Sequence, residues 1–259
     1  MKTIRFLTAT LILSATTLHA KMVEKTITHK IGDQTYESTL VYDDSIKTPR
    51  PGIFMIPNWM GPSEGSLEKA RKVAGKDYVV IMADVYGTHV RPSNSKEASA
   101  AAGKLRGDRQ LMRKQSAAAL DAFIAQTDAS VLDKGKIAAI GFCFGGGASL
   151  ELGRTGADLD AIVTFHGDLI SPTLEGEAKN TKAKVLVLHG ADDPYVPQDH
   201  VEQFVSTMQD TAVDWQLIQY SGAVHSFTNP AANSSGAKYH EQTVQRSFTA
   251  MHALFQEIW

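Results

Sequence analysis

Three residue types that can carry out acyl transfer stand just after three apolar runs: Cys143 after KIAAIGF, Asp192 and Asp193 after KVLVLHG, and His225 after WQLIQY and a short small-residue loop. Nucleophile, acid and base in that chain order can form one relay if the runs are neighbouring strands. Gly141-Phe142-Cys143-Phe144-Gly145 has the form of a nucleophile elbow, with cysteine where serine is usual. A sharp strand-to-helix turn pushes one side chain into an exposed, strained position, and glycines two residues to either side let strand and helix approach closely. The following helix would direct its positive end at the sulfur, which favours thiolate over thiol. The Phe144 amide could then donate to an oxyanion. The plain alternative is an inert cysteine packed as a small hydrophobe; the flanking glycines, the preceding strand and the helix start GGGASL favour the nucleophile. A phosphate loop is excluded because no Lys-Ser/Thr follows the glycines.

His225 follows Ser221-Gly222-Ala223-Val224 and precedes a loop that opens the last helix. The other reading is a surface-loop histidine. His166 and His189 also stand at strand ends and are expected beside the site, while His29, His200, His240 and His252 read as surface or helix positions. Asp192 and Asp193 compete for the acid, in a turn where a merely solvated aspartate is also common. No HExxH zinc motif occurs, since His240-Glu241 is followed by Val244 where a second histidine would stand. The expectation is a site without metal or cofactor.

The elements that must position these residues read as an α/β chain. Lys25–Ile31 and Tyr36–Tyr42 alternate polar and apolar residues around Gly32-Asp33, as a β-hairpin does. Gly52–Pro57, Tyr78–Val85, Lys136–Phe142, Ala161–Phe165, Val185–Leu188 and Trp215–Tyr220 read as strands, several of them apolar throughout. Apolar runs of that kind belong to parallel sheets covered on both faces. Helices are expected from about Ser66 to Gly75, over one long stretch carrying Ala117, Leu120, Phe123 and Ile124, and from about Tyr239 to Phe255. Glu175–Lys182 reads as a polar connection and Asn229–Ala237 as a small-residue loop. Eight strands result, mostly parallel, with helices on both faces. Ligands of open α/β sheets bind beyond the carboxyl ends of the strands, where the cysteine, aspartates and histidine fall.

Length and composition agree. The chain has 259 residues, 26 basic against 28 acidic, 43% hydrophobic and 21% charged, enough for one large core and unlike a disordered chain. A formal charge of −2 leaves no basic footprint for nucleic acid. A single cysteine forbids an intrachain disulfide. Residues 1–20 have a signal-peptide layout: Lys2 and Arg5, an uncharged run from Leu7 to Leu18, and Ala20 at a cleavage point. That run is too short for a membrane span of about 20 apolar residues. The expected organisation is a signal peptide over 1–20 and a single domain over 21–259, exported to the periplasm or secreted, with no membrane contact after cleavage. No cysteine near the cut offers a lipid anchor.

The chain resembles the dienelactone hydrolase family of α/β-hydrolases (carboxymethylenebutenolidase-like). The resemblance rests on Gly141-Phe142-Cys143-Phe144-Gly145-Gly146, the turn Asp193-Pro194-Tyr195-Val196-Pro197, the segment Ala223-Val224-His225-Ser226-Phe227, and Ala83-Asp84-Val85-Tyr86-Gly87. It runs from about Gly52 to the C-terminus. It implies the α/β-hydrolase fold and a Cys143–His225–Asp193 triad, choosing Asp193 over Asp192. It also implies an oxyanion hole from the Phe144 and Trp59 amides, substrate contacts from Asn58 and Tyr86, and a small-molecule ester or (enol) lactone substrate. Two positions depart from the pattern of members acting on dienelactone: Asn58 stands where they have a glutamate, and Asn229 where they have an arginine. Arg91, Arg106 and Arg109 are candidates for a replacement cation. The rival readings are a broader esterase or thioesterase and a non-catalytic thiol sensor, for which no Asp193–His225 pair is needed.

Overall fold

The computed structural model describes residues 22–259, so the signal peptide expected over 1–20 lies outside the described residues. β1 (Met22–Ile31) and β2 (Gln34–Asp43) form the expected hairpin, turning through Gly32 at φ 59°. Six strands follow: β3 (Arg50–Ile56), β4 (Val79–Met82), β5 (Leu132–Phe142), β6 (Ala161–Phe165), β7 (Lys184–Gly190) and β8 (Trp215–Tyr220). They make one eight-stranded sheet in the order β1-β2-β4-β3-β5-β6-β7-β8. Only the β1/β2 and β2/β4 pairings are antiparallel.

Continuous apolar runs form the central strands because each strand serves two cores. Phe54 and Ile56 of β3, Ala139 of β5 and Val187 of β7 pack on one face, while Ile53, Met55, Ile140 and Leu188 pack on the other. Helices α1 (Glu64–Ala74) and α7 (Glu241–Ile258) cover the second face; α2 (Ser95–Gly107), α3 (Arg109–Gln126), α4 (Phe144–Arg154) and α6 (Gln198–Gln209) cover the first. The chain leaves β3 for β4 on one side and returns to β5 on the other. The carboxyl ends of β3 and β5 therefore flank a topological switch point, where open α/β sheets leave a crevice.

Three local readings change. The long helical stretch is two helices, because Asp108 ends α2 with its amide on Leu105 O and Lys104 O and starts α3 with its carboxylate on the Leu111 amide. The connection Glu175–Lys182 contains the end of a short helix, α5 (Leu174–Glu177), and a 3₁₀ turn. β4 stops at Met82, and Ala83–Tyr86 instead form a turn organised by Asp84. Among the described residues no helix is long and apolar enough to cross a membrane.

Candidate active site

Cys143 stands between β5 and α4 at φ 55°, a left-handed conformation that strains any residue other than glycine by about 1–3 kcal/mol. The turn is held by the Cys143 amide on Phe165 O (3.0 Å) and by the Gly146 and Gly147 amides on Cys143 O (2.9 and 3.3 Å). A Cβ on Gly141 would lie 2.0 Å from Gly145 O, and one on Gly145 would lie 2.1 Å from Ile56 O, so the crossing of β3, β5 and α4 admits only glycine at these two positions. The other non-glycine residues with positive φ among those described are His166 (41°) and Ser226 (55°), so backbone strain gathers around one place. Cys143 is half-buried, not walled off in the interior.

His225 is buried in the loop after β8, and its Nδ1 lies 2.7 Å from Asp193 Oδ2. Asp193, also buried, accepts the Tyr195 and Val196 amides on its other oxygen at 2.9 and 3.2 Å, which fixes the carboxylate toward the ring. Asp192 is exposed and accepts the Gly222 amide at 3.0 Å, tying two surface turns together. Burial pushes the His225 imidazole down. Hydrogen-bonding contacts with Asp193 and Cys143, together with their negative charge, outweigh it and bring the pKa up to about 10. The environment therefore favours the imidazolium form of His225.

His166 and His189 stand beside the site as expected. Both are buried, and burial lowers both. His166 meets the His225 ring edge-on at 5.1 Å, and its Nε2 lies 2.9 Å from Thr228 Oγ1. Thr228 Oγ1 also accepts from Lys69 Nζ at 2.9 Å. That ammonium lies 4.0 Å from the centroid of the Phe142 ring. Lys69 and Thr228 were not singled out from sequence. The spacing of Lys69 holds a faint signal: it falls on the stripe of α1 that buries Ser66, Ala70, Val73 and Ala74, where a solvated lysine is out of place.

On the opposite side, buried Asp84 accepts the Tyr86 and Gly87 amides (both 2.9 Å), the Glu37 amide (3.1 Å) and Arg91 Nη2 (2.7 Å). This turn sets Tyr86 so that its hydroxyl donates to Trp59 O at 3.0 Å. Asn58 Oδ1 accepts the Met60 amide at 3.0 Å and Asn58 O accepts the Gly61 amide at 2.9 Å, so Asn58 shapes the turn that carries Trp59. The Phe144 and Trp59 amides donate to no protein acceptor among the described residues. Of the three candidate arginines, Arg91 is bound to Asp84, and Arg109 lies near the Glu151 carboxylate behind α4. Arg106 reaches the site: it stands 5.6 Å from the Phe144 ring centroid and pairs with Asp168 at 2.7 Å. Asn229 closes a turn by accepting the Ala231 amide at 3.1 Å. Together with Asn58, Phe142 and Lys69 it lines a pocket of about 290 Å³. Among the described residues no three metal-ligating side chains cluster.

The arrangement can present a nucleophile, a proton carrier and amide donors to one carbonyl. Comparison with known proteins agrees with the fold. The profile of the dienelactone hydrolase family matches residues 38–259. A protein of Yersinia pestis described as a candidate carboxymethylenebutenolidase is 25% identical over 256 residues, covering 92% of each chain. Among solved structures, a dienelactone hydrolase-like promiscuous phosphotriesterase from metagenomic libraries is 37% identical, with a TM-score of 0.86, over 93% of this chain and 99% of its own. A candidate dienelactone hydrolase of Klebsiella pneumoniae shares the fold at 20% identity, with a TM-score of 0.78, over 91% of this chain and 99% of its own.

Proposed function

The chain belongs to the dienelactone hydrolase family, and from that premise we propose that it hydrolyses a carboxylic ester or enol lactone through Cys143, His225 and Asp193, by way of an acyl-thioester. The Cys143 thiolate adds to the carbonyl carbon. The oxyanion formed accepts the Phe144 and Trp59 amides, each donor of this kind being worth about 3–4 kcal/mol of barrier. Collapse expels the alkoxide, which takes a proton from His225. The neutral ring then accepts a proton from water as that water attacks the thioester, and the second collapse releases the carboxylic acid and restores the thiolate. Asp193 holds the imidazole tautomer and the imidazolium throughout. A thiolate leaves readily, so activated esters, enol lactones and thioesters are favoured over amides.

The observation that carries this reading is the Asp193–His225 bond of 2.7 Å beside a cysteine at positive φ. The test is turnover of p-nitrophenyl acetate by the wild type and Cys143→Ala. The variant is expected to lose nearly all activity, and equal rates refute the reading. A second activity is favoured by the 37% identity to a promiscuous phosphotriesterase. The same nucleophile and amide donors suit a phosphoryl oxygen, and the same pair of proteins assayed with a p-nitrophenyl dialkyl phosphate tests it. If the protein were only a thiol sensor, His225→Ala would leave peroxide oxidation of Cys143 intact while hydrolysis was absent in both forms.

A further inference from the structure

Two aromatic rings pack against the His225 imidazole. His166 meets it edge-on at 5.1 Å and is 2% exposed, so it is sealed from any ligand. Tyr195 meets it at 5.3 Å, with the two ring planes 84° apart, and is 60% exposed. Among the described residues it is the only large hydrophobic side chain left so open to water. We propose that Tyr195 is a specificity-determining residue: its exposed ring forms the subsite for the leaving alcohol and selects flat, unsaturated alcohols, phenols and enols, over saturated ones. The inference rests on the ester-hydrolase reading and deepens it by naming the alcohol half of the substrate.

A lone exposed aromatic on an ordinary surface needs no account; the position of this one does. The Tyr195 amide donates to Asp193 Oδ1 at 2.9 Å, while the other oxygen of that carboxylate holds His225 Nδ1 at 2.7 Å. One carboxylate therefore fixes the imidazole and the backbone beneath the tyrosine. Pro194 and Pro197 bracket the turn and restrict its backbone. At the far end of the ring, a Cβ on Gly236 would lie 2.8 Å from the Tyr195 oxygen, so that segment makes room for the phenol tip only as glycine. The same segment is tied to the base, since the Lys238 amide donates to His225 O at 3.0 Å. The tyrosine is thus held at both ends beside an imidazole whose Nδ1 is engaged. Nε2 is left to pass the proton to the departing oxygen, which must come within hydrogen-bond reach of it. The carbons attached to that oxygen leave alongside the imidazole, and the open aromatic surface there is Tyr195. A phenol or enol can stack on that ring or meet it edge-on, which a saturated alcohol cannot. Esters of such alcohols are also the activated ones that a thiolate nucleophile favours.

The test compares leaving alcohols of similar acidity and different shape. Phenyl acetate carries a flat leaving group and hexafluoroisopropyl acetate a branched, saturated one; kcat/KM reports the acylation step in which either departs. Tyr195→Ala is expected to lower kcat/KM for phenyl acetate about three- to tenfold, the size of one aromatic pair contact, and to change the hexafluoroisopropyl ester less than about twofold. Tyr195→Phe, which keeps the ring, should retain the wild-type preference. Equal losses on the two esters overturn the proposal, because they would make Tyr195 a support for His225 alone. No loss on either overturns it, as does a loss that grows from phenyl acetate to phenyl butyrate, which would put the contact on the acyl side. The wild type supplies a measurement that stands even if Tyr195→Ala does not fold. Added phenol should shift the Tyr195 ring proton resonances through its ring current, and cyclohexanol should not; unmoved resonances overturn the proposal. This readout follows the ring contact without turnover, so failure of the subsite is told apart from failure of the ester reading, which Cys143→Ala tests.

Discussion

At the scale of single residues, the site divides into groups whose chemistry announces them and groups that only the fold reveals. Residue type, local turn and chain order single out Cys143 and His225 in the sequence. Asp192 and Asp193 could not be separated by local pattern, since both sit in one turn. What separates them is which side of the turn faces the sheet, and the structure buries Asp193 against His225 while Asp192 faces solvent. Asp193→Asn is expected to lower kcat roughly a thousand- to ten-thousand-fold, as loss of the orienting carboxylate does in such relays, and Asp192→Asn to change it less than about twofold. Steady-state kinetics on the two variants checks this. The pH profile offers a second reading. With Asp193 present the imidazolium persists to about 10, so kcat/KM should decline on the alkaline side only there. Without that carboxylate the alkaline limb should move to lower pH, because burial then acts with less to oppose it.

At the scale of elements, the strands were legible because burial on both faces writes an unbroken apolar run. The break between α2 and α3 was not, because apolar spacing continues across it and no proline marks it; Asp108 caps both helices by itself. The charged interior behind the elbow was hidden for a similar reason. Glu151 of α4 is 1% exposed and pairs with Arg113 of α3 at 2.7 Å and with Arg154 at 3.0 Å. Arg113 in turn reaches Glu177 of α5. In sequence these charges spread over more than sixty positions, and no local pattern joins them. Together they pin the helix that follows Cys143 to its neighbours. Glu151→Ala leaves the buried Arg154 guanidinium without a carboxylate and Arg113 with Glu177 alone, and is expected to cost about 3–5 kcal/mol, measured by urea unfolding. Glu151→Gln, which keeps the shape and part of the hydrogen bonding, should cost less. If the network only stiffens the helix, Glu151→Ala should retain measurable ester turnover at temperatures where it is folded.

At the scale of the whole molecule, the class and number of strands followed from local pattern, but the strand order did not, because the pairing of β3 with β5 across the excursion through β4 is a long-range fact. That order creates the crevice, and the crevice brings Lys69 of α1 to the elbow, which is why a lysine with an ordinary sequence context ends in a costly position. The cost has a defined pH window. An unfolded chain holds the Lys69 proton up to about 10.4, whereas the folded site releases it near 8 because burial and Lys72 outweigh Cys143. Between those values the unfolded state binds more protons, so this residue makes stability rise with pH there. Below about 8 both states are charged and the folded state bears the full burial cost; above about 10.5 both are neutral and the cost is gone. Lys69→Met should therefore be more stable than the wild type at pH 7, with an advantage that shrinks as pH rises through 8 and disappears by about 10.5. Urea midpoints of the two proteins measured across pH 6 to 11 check the sign. A variant that is less stable at pH 7 would mean that the Thr228 and Phe142 contacts outweigh the burial cost, and that the lysine is held in the site by its own packing.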